Sequence, residues 1–150
     1  MSETPREKIE RLQAQRQAVR AALEAQREEQ EASDLEAIAD LEVEHGPSNV
    51  SVLRINYAPG LPSLIAVRVP SKPEMKRYRD MIKPGTDSRN KVKVGDFDAA
   101  YTQVGRTCLV YPPEGDLREA LYDQRSAVQL EAGHAAVKLG ETREADEGKD

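Results

Sequence analysis

Val50 to Val69 reads VSVLRINYAPGLPSLIAVRV. Its two arms, Val50 to Tyr57 and Leu64 to Val69, are short and rich in β-branched residues. The hexapeptide Ala58-Pro59-Gly60-Leu61-Pro62-Ser63 between them is turn-forming, so the pattern predicts a β-hairpin. Leu53, Ile55 and Tyr57 share one face of the first arm, and Ile65, Val67 and Val69 share one face of the second, with Arg54 and Arg68 pointing the other way. A lone hairpin is marginal in water, so its apolar face needs a cover.

The cover is expected from the helices that follow. Ser71-Lys72-Pro73-Glu74 has the spacing of a capping box, and Met75, Tyr78 and Ile82 then fall on one face until Lys83-Pro84-Gly85. Residues 86–95 are polar and basic and read as a loop, in which Val92 and Val94 alternate with lysines as in a short edge strand. Asp96 fits the N-cap of another helix, with Phe97, Ala100, Tyr101, Val104 and Cys108 along one stripe. Tyr111-Pro112-Pro113 stops it. A helical pattern resumes at Asp116 and runs through Leu117, Ala120, Leu121, Val128, Ala132, Ala135 and Leu139 to Gly140, read as the residue after the helix end. Residues 141–150 contain no large apolar side chain and are expected to form a disordered acidic tail.

Upstream, residues 5–32 have Pro5 in the first turn, no further Gly or Pro, and mostly Gln, Glu, Arg and Ala, which predicts one long helix. Ile9, Leu12, Val19 and Leu23 fall on a heptad seam that Arg16, Gln26 and Gln30 complete. The seam leaves two readings open: a solvated helix, or pairing with a partner helix that includes a second copy of the chain. Ser33-Asp34-Leu35-Glu36 has the spacing of a second capping box, so a break near 33 is expected before Leu35, Ile38 and Leu41 continue to Gly46-Pro47. The expected organisation is an extended acidic helix over 1–46, a small domain over 47–140, and the tail. The fold class is α+β, mostly helical, with one β-hairpin and three to four helices behind the long N-terminal helix.

Composition narrows the function. The chain has 150 residues, no Trp and one Phe. Only 30 of its residues are Leu, Ile, Val or Phe, enough for one modest core. No apolar run reaches membrane-spanning length, the N-terminus lacks a secretory pattern, and Cys108 is the single cysteine, so a soluble cytoplasmic protein is expected. The net charge of −5 is uneven: residues 47–113 carry 11 basic and 5 acidic side chains, between two acidic flanks. Lys72, Lys76, Arg77, Arg79, Lys83, Arg89, Lys91 and Lys93 form a basic stretch that is the candidate for nucleic-acid contact, although no aromatic ladder accompanies it.

Signs of chemistry are few. Phosphate-loop, dinucleotide, zinc-protease and nucleophile-elbow motifs are missing from the sequence. Cys108, His45 and His134 are too scattered for a zinc site, and Cys108 lies on an apolar stripe where a buried thiol is expected. Asp96 and Asp98 fit a helix N-terminus better than a cation site. No catalytic residue, metal or cofactor is expected.

Val67-Arg68-Val69-Pro70-Ser71 leading into a helix, Cys108-Leu109-Val110-Tyr111-Pro112 closing another, and a last helix ending Lys138-Leu139-Gly140 resemble the tail assembly chaperones of long-tailed bacteriophages and prophages. The resemblance covers residues 67–140. It implies a non-enzymatic protein of the bacterial host cytoplasm that binds the tape measure protein, a long helical client, during tail assembly. In that setting Leu117, Leu121, Val128 and Leu139 would build or border the client surface, and Ile9, Leu12, Val19 and Leu23 would add a partner-helix seam.

Overall fold

The structure, a computed structural model, describes residues 2–86, 89, 92–93 and 95–148. Helix α1 spans Pro5–His45 without interruption. A 3-10 turn at Pro47–Asn49 leads into β1 (Val50–Arg54), which pairs antiparallel with β2 (Leu64–Arg68) from Val50 opposite Arg68 to Arg54 opposite Leu64. Then come α2 (Lys72–Ile82), the two-residue strands β3 (Gly85–Thr86) and β4 (Val92–Lys93), and α3 (Phe97–Cys108). The chain ends with β5 (Leu109–Tyr111), α4 (Asp116–Gln124) and α5 (Ala127–Glu147). The fold is α+β and mostly helical, with a hairpin and, among the described residues, four helices behind α1.

The hairpin is present, with arms of five residues each rather than eight and six. It also gains a third strand. β5 pairs antiparallel with β2, so β2 is central and the order is β1-β2-β5. This explains why Leu64, Ile65, Ala66 and Val67 are all buried. Ile65 and Val67 join Met75, Tyr78, Val104, Leu121 and Val137 in the main core beneath α2, α3 and α5. Leu64, Ala66 and Val50 face the other way and enclose Ile38 of α1. The architecture is therefore three layers, with the small sheet between α1 and the other helices.

Local signals set most helix starts. Ser71 and Glu74 form the expected reciprocal cap on α2, and the Asp96 carboxylate accepts from the Ala99 N–H at 3.0 Å. α3 and α5 cross on glycines. A Cβ on Gly133 would stand 1.8 Å from the Tyr101 carbonyl oxygen, and one on Gly105 would stand 2.0 Å from that of Gln129. Only a hydrogen at each site permits this backbone approach.

Five expectations are corrected here. α1 does not break near 33: Ser33 and Glu36 lie inside one continuous helix, and the Asp34 side chain between them is turned to the sheet. Gly140 does not end α5; it lies inside the helix, and a Cβ there would stand 2.5 Å from the Met75 sulfur. Residues 141–147 are the last turns of α5 rather than a disordered tail, held by the Arg79–Glu144 ion pair. The helical pattern from Asp116 is split, with Arg125 outside helical geometry between α4 and α5. Phe97 leaves the α3 stripe and is exposed. Val92 pairs with Thr86 as the edge-strand pattern suggests, whereas Lys91, Val94, the side chain of Lys93 and the last two residues of the expected tail lie outside the described residues.

Candidate helix-binding surface

The surface is built on the first 22 residues of α1. Thr4 caps the helix: its hydroxyl accepts from the Glu7 N–H at 3.2 Å, and the Glu7 carboxylate accepts from the Thr4 N–H at 3.4 Å. Pro5 supplies the fixed φ of a first helical residue. Glu3 clasps Arg11 at 2.9 Å, and Arg27 is shared between Glu24 and Glu31. The exposed pair of Glu3 and Arg11 adds only a little stability, about what keeps a solvated helix formed.

Every residue from Pro5 to Gln26 is exposed. The seam is therefore in water: Ile9 is 55%, Leu12 42%, Val19 58% and Leu23 41% exposed. Beyond Gln26 the same helix is docked. Asp34, fully buried, accepts from the Ser63 N–H at 2.7 Å, the Ser63 hydroxyl at 3.0 Å and the Leu64 N–H at 3.1 Å. Gln30 and the Tyr111 hydroxyl donate to its other oxygen. Five neutral donors replace the water a buried carboxylate loses. Ile38, also fully buried, adds the apolar anchor, and Glu31 meets Arg54 at 2.7 Å.

At 3.6 residues per turn, Gln30, Asp34, Ile38, Leu41 and His45 lie on a stripe within roughly 40° of the one that carries Ile9, Leu12, Val19 and Leu23. The exposed seam is thus the overhang of the docking face. It points to the side on which the sheet sits.

The second group of expected partner residues divides. Leu121 and Val128 are buried in the core and offer no surface, which corrects their assignment. Leu117 is 39% exposed, and Leu139 is half-buried against the core. Among residues the sequence did not single out, Arg118 is the clearest: buried, it donates to the carbonyls of Pro112 at 2.8 Å and Leu109 at 2.9 Å, tying α4 to β5 and the cis Tyr111–Pro112 turn. Nothing local marks Arg118 or Asp34, because their partners are distant in the chain or in loops.

The basic stretch does not form one free face. Arg79 pairs with Glu144, and Arg77 points its guanidinium at Gln103, whose carboxamide oxygen accepts at 2.9 Å once turned toward it. Lys72, Lys76 and Arg89 are exposed.

The remaining chemistry-bearing groups are packed. Burial pushes the Cys108 thiol up to about 12, so it stays protonated at neutral pH. Arg68 grips Glu74 with two hydrogen bonds at 2.8 and 3.0 Å, which holds that carboxyl at about 2. The Tyr78 hydroxyl donates to that of Tyr101 at 3.0 Å, and His134 stacks on Tyr101 with ring centroids 3.8 Å apart. A small cavity of about 110 Å³ between α2 and α3 is lined by Tyr78, Met81, Val104 and Cys108, with Glu74 and Arg77 at its edge. Among the described residues, no group of three or more His, Cys, Asp or Glu side chains could hold a metal ion, and no helix is long and apolar enough to cross a membrane. Set beside known proteins, the chain matches no protein-family model, no curated protein and no solved structure.

Proposed function

We propose that this protein is a non-enzymatic assembly factor that binds long helical clients, in the manner of a phage tail assembly chaperone holding a tape measure protein. The observation that carries this reading is the overhanging seam: four large apolar side chains at helical spacing, all in water, on a helix anchored firmly at its other end. Helix-in-groove recognition uses such a stripe, and a long client with repeated apolar stripes would gain from several weak contacts at once. Leu117, on the exposed side of α4, is a candidate second contact. The likeness of residues 67–140 to tail assembly chaperones supplies the client class.

The test is co-expression with a tape measure protein, followed by affinity capture. The wild-type chain should retain the client in solution. Leu12→Glu with Leu23→Glu should lower retention at least about 100-fold, since each leucine buried at a contact contributes about 1.5–3 kcal/mol. A wild-type chain that retains no client, or a double variant that retains it undiminished, overturns the reading.

A further inference from the structure

The geometry points to a second copy of this chain as the occupant of the seam, paired antiparallel along the exposed part of α1 with its layers between Ile9 and Gln26. Three observations select that arrangement.

The first is steric. A parallel pair would continue past Gln26 along the stripe of Gln30, Asp34 and Ile38, which the sheet already covers. Both folded units would then compete for the same space at the same level. Antiparallel pairing centred between Gln17 and Ala18 sends the two folded units to opposite ends, and its layers from Ile9 to Gln26 use only exposed residues.

The second is the layer pattern. In an antiparallel pair an a position packs against a d position. Centred as above, Leu12 meets Leu23 of the second copy, twice, Ile9 meets Gln26, and Arg16 meets Val19. In a parallel pair Arg16 would face Arg16 in the middle of the seam, two like charges in one layer.

The third is charge. Residues 4–17 carry four basic and two acidic side chains, and residues 18–31 carry two basic and four acidic. Antiparallel pairing lays each basic half on an acidic half, placing Lys8 by the Glu29 of the second copy. Parallel pairing lays like on like. This pairing stands without the client reading; where both hold, a client helix competes with the second copy for one stripe.

The experiment uses the full chain. Sedimentation velocity over a concentration series should show a monomer–dimer equilibrium that Leu23→Glu shifts to monomer and Arg16→Leu shifts to dimer, circular dichroism showing each variant folded. Under mild oxidation, Leu12→Cys alone should stay uncrosslinked, and Leu12→Cys mixed with Leu23→Cys should give the mixed disulfide dimer. The native Cys108 is buried and does not interfere. Positions 12 and 23 of one helix are about 16 Å apart, too far for a bridge within one chain. A chain that stays monomeric even as Arg16→Leu, or a dimer of Leu12→Cys linked to itself, overturns the proposal. A monomer that still captures a tape measure protein overturns the pairing and leaves the client reading standing; a dimer without client capture does the reverse.

Discussion

Residues 5–26 and 27–45 of α1 belong to one helix and carry four large apolar residues each, yet they differ in what covers them. The first half carries Ile9, Leu12, Val19 and Leu23, all exposed; the second buries only Ile38 among its large apolar residues and leaves Leu35 and Val43 in water. The second half is nevertheless the docked one. Asp34 is satisfied by the Ser63–Leu64 backbone and the Tyr111 hydroxyl, and Ile38 sits over Val50, Leu64 and Ala66. A helix docks where complementary groups wait for it, and four greasy side chains without a partner surface do not bring it down.

The severest way to break this comparison is truncation. Removing residues 2–46 takes Asp34 and Ile38 with it and strips one face of the sheet, so cooperative thermal unfolding should be lost. Removing 2–24 takes only exposed residues, and the melting temperature should move by less than about 2 °C. Equal effects of the two deletions would erase the distinction between the halves.

Asp34→Ala comes next. It leaves two backbone N–H groups and a tyrosine hydroxyl facing no acceptor, and chemical denaturation should report a loss of about 3–5 kcal/mol. Ile38→Ala empties a fully buried site and should remove about 3 kcal/mol in the same measurement.

Acid sharpens the contrast from the side of the folded unit. Glu74 is held at about 2, below the usual carboxylate range, first by its hydrogen bonds from Arg68. A lowered folded-state value means the Arg68–Glu74 contribution is complete above about 4.5 and is lost as the pH falls toward about 2. Melting temperatures of the wild type should therefore fall through that window, and Glu74→Gln should flatten that part of the profile. The smallest effect belongs to the free half. Val19→Ala and Ile9→Ala should change the stability of the isolated monomer by less than about 0.5 kcal/mol. A larger change at high protein concentration than at low would show that the seam is covered in an assembly.

Much of the fold was legible in the sequence where the signal was local. Proline, glycine and β-branched clustering marked the hairpin. Ser71 with Glu74 marked the start of α2, and Asp96 marked the start of α3; the structure shows all three. The failures share a cause. Ser33-Asp34-Leu35-Glu36 has cap spacing, but the helix runs through it, docked by Asp34 on backbone donors 29 and 30 residues away. Gly140 looked like a helix end because nothing near it showed that Met75 presses on it. Leu109-Val110-Tyr111 resembles the end of a helix in the sequence because a strand partner at Ala66 and Val67 is invisible from residue 109. Leu121 and Val128 carried the same helical spacing as Leu117 and Leu139, and spacing alone does not separate a core face from an exposed one.

The sequence by itself determined that this chain is mainly helical, with one hairpin, a long capped N-terminal helix and an apolar seam along it. Those are properties of neighbouring residues, governed by backbone propensity, caps and turn chemistry. The tertiary structure alone decided which half of that helix is docked, which leucines are spent in the core, and that α3 and α5 cross glycine against backbone. Each of those depends on donors, acceptors and volumes that residues far apart in the chain bring together only when the whole has folded.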